Sequence, residues 1–226
     1  CFSLMSGKHT TSAGQGGMVI TDDEELYWDA KRFADRGKPF NTDEPSNLFL
    51  GINYRVTEIA AAMGRVQLQK MAGIAGARQD YVAAFEAALA QHDVVCCEPS
   101  PVVEGGTSAY WFGTLLFHAD KCTMTMGEYG AAVAAEGVPV GGNYEGALVP
   151  TKEWITNMQT YGQTKEPWTS PHWKGDIEAL DYANSVPAAV KCVAQLMRYS
   201  VHECQGEQDA ADMAAAIAKV DAVYRA

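Results

Sequence analysis

The chain has 226 residues, 47% of them hydrophobic, enough to bury the core of one large domain or two small ones. Its formal charge of −11, from 28 acidic against 17 basic side chains, opposes adhesion to phosphate backbones and anionic lipid, which sets aside nucleic acid and membranes as partners. No apolar run nears the ~20 residues of a membrane span and no leader with a basic and then an apolar region stands at the start, so a soluble, cytoplasmic protein is expected.

In chain order, "CFSL" reads as the end of a buried strand and "GMVIT" as a second short strand leaving a glycine turn. A helix is predicted from about Asp22 to Arg36. Thr21 and Glu24 fit the S/T-x-x-E capping box, Leu26, Ala30 and Phe33 share a face, and Gly37 with Pro39 supplies the stop. "KRFADRGKP" crowds Lys31, Arg32, Arg36 and Lys38 at the end of that helix, where cations either complement the helix dipole or meet an anionic substrate. Residues 38 to 52 read as a loop. Thr57 then N-caps a helix starting at Glu58, with Ile59, Met63 and Val66 on one face, that runs to about Gln91 as one helix or as two joined near Gly73.

A strand from Tyr110 to Phe117, apolar on both faces, is expected in a covered sheet. Helices are predicted over "MGEYGAAVAAEG", closed by Gly137, over "VPAAVKCVAQLM", and at the end of the chain, where Met213, Ile217, Val220 and Tyr224 share a face. Residues 143 to 181, rich in Pro, Gly, Trp and Tyr, read as a long structured loop whose Tyr144 and Trp168 either pack or stack on a sugar. The order of elements is α/β with a break near residue 93. Two short strands and one helix do not close a core, and with the missing initial methionine this leads us to expect that further polypeptide belongs beside the first part. Six cysteines (Cys1, Cys96, Cys97, Cys122, Cys192, Cys204) lack CxxC spacing and read as reduced, mostly buried thiols, with neither disulfide nor structural zinc. The five histidines show no ligand spacing, so no metal site is expected.

The chemistry concentrates in "CFSLMSGKHTTSAGQGG". A lysine amine becomes a nucleophile when it is desolvated or placed near a cation, and its commonest use is a Schiff base with a carbonyl or pyridoxal phosphate (PLP). Lys8 follows a strand end, and the small residues Ser3, Ser6 and Gly7 leave room for a ring and a phosphate, with hydroxyls and turn amides to donate to phosphate oxygens. Taken alone, the same lysine also reads as one that solvates a surface. "GQGG" is not a dinucleotide loop, because G-x-G-x-x-G fails at Val19 and a strand follows where a helix is needed.

"FSLMSGKHTTSAGQGGMVITDDEEL", followed by "GINYRVTEIAAAMGRVQLQKM", resembles the central segment of the DegT/StrS-like PLP-dependent aminotransferases, fold-type-I enzymes that aminate keto sugars and cyclitols. Three features coincide: Ser3 five residues before Lys8, the G-x-G-G turn from Gly14 to Gly17, and the tripeptide Asn53 to Arg55 opening a helix. The resemblance spans residues 1 to 72 and returns in "YSVHECQGEQDAADMAAAIAKV". Residues 98 to 185 match only as a small-domain pattern.

The resemblance implies an α/β fold: the C-terminal part of a fold-type-I large domain with its long connecting helix (residues 1–93), then a small α+β C-terminal domain (94–226). It implies Lys8 as the lysine that carries PLP and moves the substrate proton, Ser3 as a phosphate ligand, and Asn53 as the residue that crosses a homodimer interface to the neighbouring PLP phosphate. Arg55 and His9 are substrate-side candidates. Glutamate or glutamine is the implied donor, and a keto sugar, usually nucleotide-linked, or a keto cyclitol the acceptor. Between Lys8 and Gly14 this chain has one residue more than the family pattern. Counting back from Gly14 therefore places His9 at the lysine position, as in relatives that act as sugar dehydratases; Ser3 fixes Lys8 from the strand side, and the extra residue then falls in "TTSA". The family's first half, with the aspartate for the pyridine nitrogen and the ring-stacking aromatic, is not in this sequence. The chain is thus expected either to work with a separate N-terminal polypeptide of the same enzyme or to be a non-catalytic piece.

Overall fold

A computed structural model describes residues 1–226 except 142, 143, 145 and 147. The chain divides into two compact units, Cys1–Ala77 and Arg78–Ala226.

In the first unit, β1 (Phe2–Ser3) pairs antiparallel with β2 (Gly17–Met18), Phe2 opposite Met18. The pairing continues into the turn, where the Leu4 N–H donates to the Gly16 carbonyl and the Ser6 N–H to that of Gly14. These strands are not the buried ones expected, nor does "GMVIT" extend as a strand beyond Met18: Phe2, Met18, Val19 and Ile20 are each more than half exposed. Two residues per strand, with no third strand alongside among the described residues, offer no face that could cover a side chain.

Helix α1 (Glu24–Ala34) is shorter at both ends than predicted, and Asp23 is its cap where Thr21 was expected. Asp23 Oδ1 accepts the Leu26 N–H at 3.1 Å, while Thr21 Oγ1 accepts that of Asp23 at 3.1 Å; aspartate outranks threonine as an N-cap. At the other end Gly37 (φ 72°) sends its N–H back to the Arg32 carbonyl at 2.7 Å. The loop then returns over the helix end, with the Arg36 N–H on the Ile52 carbonyl, the Ile52 N–H on that of Phe33 and the Tyr54 N–H on that of Ala34. This return needs two glycines. A Cβ on Gly37 would strike the Phe49 carbonyl, and one on Gly51 would stand 2.5 Å from the Gly37 nitrogen.

Thr57 caps α2 (Glu58–Leu89) as predicted, its Oγ1 accepting the Ala60 N–H at 3.2 Å. The helix is one unbroken 32-residue element that crosses from the first unit into the second. Gly73 and Gly76 cost about 1 kcal/mol each against alanine, which the alanine-rich, proline-free run absorbs.

The second unit is built on an antiparallel sheet in the order β3-β4-β6-β5, from β3 (Cys97–Pro99), β4 (Phe112–Phe117), β5 (Val140–Gly141) and β6 (Leu196–Ser200). Leu115 and Phe117 alternate strictly with half-buried neighbours along β4, so one face is buried and the other, bearing Phe112, Thr114 and Leu116, is only half covered; the expected two-sided burial is not found. The buried face packs with Val82 and Phe85 of α2, Tyr129 and Val133 of α3 (Met126–Ala135), and Met213, Ile217 and Val220 of α6 (Glu207–Tyr224). A capping box of Thr125 and Glu128 starts α3.

The helix predicted over "VPAAVKCVAQLM" stops early: α5 spans Pro187–Val193, and Leu196 and Met197 belong to β6, where Met197 and Tyr199 point inward. Among the described residues of the expected long loop lie 3₁₀ turns at 149–151 and 161–163 and the short α4 (Glu153–Thr156); Asn143, where that loop was set to begin, falls outside the described residues. All six cysteines are free thiols, and only Cys96, Cys97 and Cys122 are buried, against the expectation that most would be. No helix among the described residues is long and apolar enough to cross a membrane.

Candidate active site

The turn between β1 and β2 carries Lys8. Its backbone N–H donates to the Met5 carbonyl at 3.0 Å, closing a tight bend, and the residue is half-buried. The turn is pinned from below by Ser12, which is 1% exposed and donates from Oγ to the Leu4 carbonyl at 3.2 Å. Beneath it lies α2: a Cβ on Gly64 would sit 3.5 Å from that of Ser12, and Thr10 Oγ1 donates to the Met71 sulfur at 3.2 Å. A Cβ on Gly16 would run into Ser12 Oγ, so glycine is needed at that position for the seat to close. Ser3 is exposed, its Oγ accepting the Met5 N–H at 3.5 Å. Beside Lys8, the buried Nε2 of His9 has no hydrogen-bond partner among the described residues. This orphaned atom, one residue from Lys8 in sequence, is polar capacity that the described residues leave unused.

Asn53 and Arg55 form a second cluster, at the end of α1. Asn53 bridges to Asp35 in the backbone, and its Oδ1 accepts Arg55 Nε at 3.0 Å. Asp35, 8% exposed, is a hub that the sequence reading missed. It pairs with Arg36 at 3.0 Å, Arg55 at 3.4 Å and Lys38 at 3.5 Å. Burial alone raises its pKa, but the hydrogen bond from Arg36 and the charges of Arg55, Lys38 and Arg36 outweigh burial and hold it below the ordinary 3.8. The signal for it was one carboxylate inside "KRFADRGKP". Of the four cations there, Lys31 and Arg32 lie in the last turn of α1, where the helix dipole favours them, and Arg36 and Lys38 answer to Asp35. Arg55 also lines a groove of about 680 Å³ between the β1–β2 pair and α1, with Lys31, Tyr27 and Tyr54.

Tyr144 and Trp168 both have aromatic partners. Tyr144 lies 5.2 Å from the Phe112 ring, and Trp168 Nε1 donates to the Tyr182 hydroxyl at 2.9 Å. No cluster of metal-ligating side chains occurs among the described residues.

The sequence pattern of the DegT/DnrJ/EryC1/StrS aminotransferases matches residues 1–148, which include the Lys8 turn and the Asn53–Arg55 segment. The chain belongs to this aminotransferase family. GDP-perosamine synthase of Caulobacter vibrioides is 32% identical over 118 residues, 50% of this chain and 30% of that protein. Among solved structures, the aminotransferase from Psychrobacter cryohalolentis matches with a TM-score of 0.73 at 23% identity, covering 98% of this chain and 55% of that one. A GDP-4-keto-6-deoxymannose-3-dehydratase, solved with PLP and glutamate trapped as a geminal diamine, matches with a TM-score of 0.67 at 16% identity, covering 96% and 53%. The chain spans about half the length of these two structures and less of the synthase. At such identities the structural likeness establishes the α/β fold alone.

Proposed function

We propose that the chain is the lysine-bearing part of a PLP-dependent aminotransferase that moves an amino group from glutamate or glutamine to a keto sugar, nucleotide-linked, or to a keto cyclitol. The observation that carries this reading is the family match over residues 1–148 together with Lys8 on a turn pinned by Ser12 and bordered by Ser3 and the orphaned His9 Nε2. Bound PLP supplies an electron sink. Lys8 supplies the amine that holds it and moves the proton at the substrate Cα, and Ser3 with the turn amides takes the phosphate. Asn53, held beside Arg55 by Asp35, reaches the phosphate site of a second copy, which makes the working enzyme a homodimer. Arg55 stands at the mouth of the substrate path, and His9 lines it.

The first unit supports the further proposal that an N-terminal portion of the same enzyme packs on it. Its single buried hydrophobic side chain is Ala60, while Leu50 is 98%, Ile59 77%, Tyr54 75% and Ile20 66% exposed. Apolar surface on that scale marks a site of contact with other polypeptide. A PLP-dependent sugar dehydratase with His9 in the lysine register is the second reading, and the extra residue between Lys8 and Gly14 favours it.

Variants of the full enzyme separate the readings. Lys8→Ala should abolish both the visible absorbance of bound PLP and transamination, whereas His9→Ala keeps part of each. The reverse ranking supports the dehydratase register. Loss of neither activity nor absorbance in Lys8→Ala removes the lysine from the site, and wild-type protein that binds no PLP leaves the non-catalytic reading.

A further inference from the structure

The second unit holds a cleft that the proposed chemistry does not use. It measures about 420 Å³ and is lined by Trp111 and Phe112 at the start of β4, by Val140 and Gly141 of β5, and by Arg198 and His202 on and after β6. Arg198 projects from the half-covered face of the sheet, opposite Thr114 on β4 and Gly141 on β5. Its guanidinium carbon lies 5.1 Å from the Tyr144 ring centroid and 5.8 Å from that of Phe112, and those two rings are 5.2 Å apart. Two aromatic rings thus flank the guanidinium.

Among the described residues the cleft holds no anion. Among the described residues no carboxylate pairs with Arg198, and the acid nearest to it in sequence, Glu203, is taken by Arg78 at 2.8 Å. A half-buried guanidinium held by ring faces keeps its fork of N–H donors for an acceptor that none of the described residues provides. The volume falls within the range of about 300–1,000 Å³ usual for small-molecule sites, far more than a bare oxyanion fills. The Trp111 and Phe112 walls offer flat apolar contact to the remainder. We propose that this cleft binds a small organic anion, a phosphate or carboxylate borne on a flat ring, with the oxyanion on Arg198 and the ring against Phe112 and Trp111. The site is independent of Lys8 and of the aminotransferase reading.

Gly141 gives a test that removes nothing from the site. A Cβ built there stands 3.8 Å from an Arg198 nitrogen without a clash, so Gly141→Asp brings a carboxylate to the guanidinium and occupies it internally. Tryptophan fluorescence of the full chain would be titrated with phenyl phosphate, benzoate and the neutral benzyl alcohol, for wild type, Gly141→Asp and the conservative Arg198→Lys, with circular dichroism to verify folding. At least one ring anion should saturate wild type about tenfold more tightly than benzyl alcohol, and each variant should lose about tenfold in that anion's affinity. Phenyl phosphate above benzoate identifies a phosphate ligand, and the reverse a carboxylate. Absence of saturable anion binding to wild type, or equal anion affinity in the folded variants, overturns the proposal.

Discussion

Asp221 is the only carboxylate among the described residues with no solvent exposure at all, and its removal should have a large, calculable effect on the second unit. Its Oδ1 accepts two backbone N–H groups at the entry to β3, Val95 at 3.1 Å and Cys96 at 2.7 Å, and Oδ2 lies 3.0 Å from Arg225. Asp221→Ala orphans both donors, and Cys96, fully buried, has no water to turn to. Each orphaned donor costs about 1–3 kcal/mol, and opening one side of a buried ion pair costs about 3–5 kcal/mol in all. Arg225 keeps Asp93 at 2.7 Å, which places the total near the lower end, about 3–4 kcal/mol. With a urea m-value of about 2 kcal/mol/M, the midpoint of the second unit should fall by about 2 M. Asp221→Asn retains an acceptor oxygen for both N–H groups but turns an amide N–H toward the Arg225 guanidinium, giving up the ion pair and keeping the β3 contacts, so it should lose about half as much. Urea melts followed by far-UV circular dichroism read both values. A midpoint for Asp221→Ala within about 0.3 M of wild type would refute the reasoning.

Two further outcomes follow from crowded points in the structure. Tyr199 crosses directly over Gly113, where any Cβ would run into its ring, so Gly113→Ala should expel the ring and cost about 1–3 kcal/mol in the same melt. Asp35 has a lowered folded pKa, so its contribution to the first unit is complete above the ordinary 3.8 and is lost as pH falls through the lower folded value. Arg55→Ala should raise the Asp35 titration midpoint read by carboxyl NMR, and an unmoved midpoint would show that Arg55 does not act on it.

The parts of the fold that were legible are those with a local cause. Thr57 caps α2 because a hydroxyl can reach an N–H three residues on, and Met213, Ile217 and Val220 share a face because 3.6 residues make a turn. The Lys8 turn was legible for the same reason: its glycines and serines lie within fifteen residues. Asp35 was not, because the hub exists only when the chain returns from Asn53 to the end of α1, and that return rests on backbone contact at Gly37 and Gly51 rather than on side-chain chemistry. The strand β6 hid inside an apolar run whose spacing also fits a helix; it is distinguished by pairing with Leu115 and Gly113, residues more than eighty positions earlier. Arg198 carries no local sequence signal, because its partners, Phe112 and Tyr144, come from two other segments.

The two units differ in how each maintains its site. The second has a continuous core, from Phe85 through Leu115, Tyr129 and Met197 to Ile217, so the geometry around Arg198 is held by its own packing. The first buries Ser12 and Asp35 but almost no apolar side chain, so its hydrogen bonds hold the Lys8 turn and the Asp35 hub without a core behind them. Hydrogen bonds net only about 1 kcal/mol each against water, too little to offset the backbone entropy of ordering some seventy residues. Amide exchange should therefore divide the chain inside α2. Protection should be strong from Val82 through Leu89 and across β4 and β6, and weak at Leu4, Ser6 and Ser12, until other polypeptide covers Ile20, Leu50 and Tyr54. Equal protection of Ser12 and Leu115 in the chain alone would mean that the first unit is stabilised from within, by something other than buried apolar area.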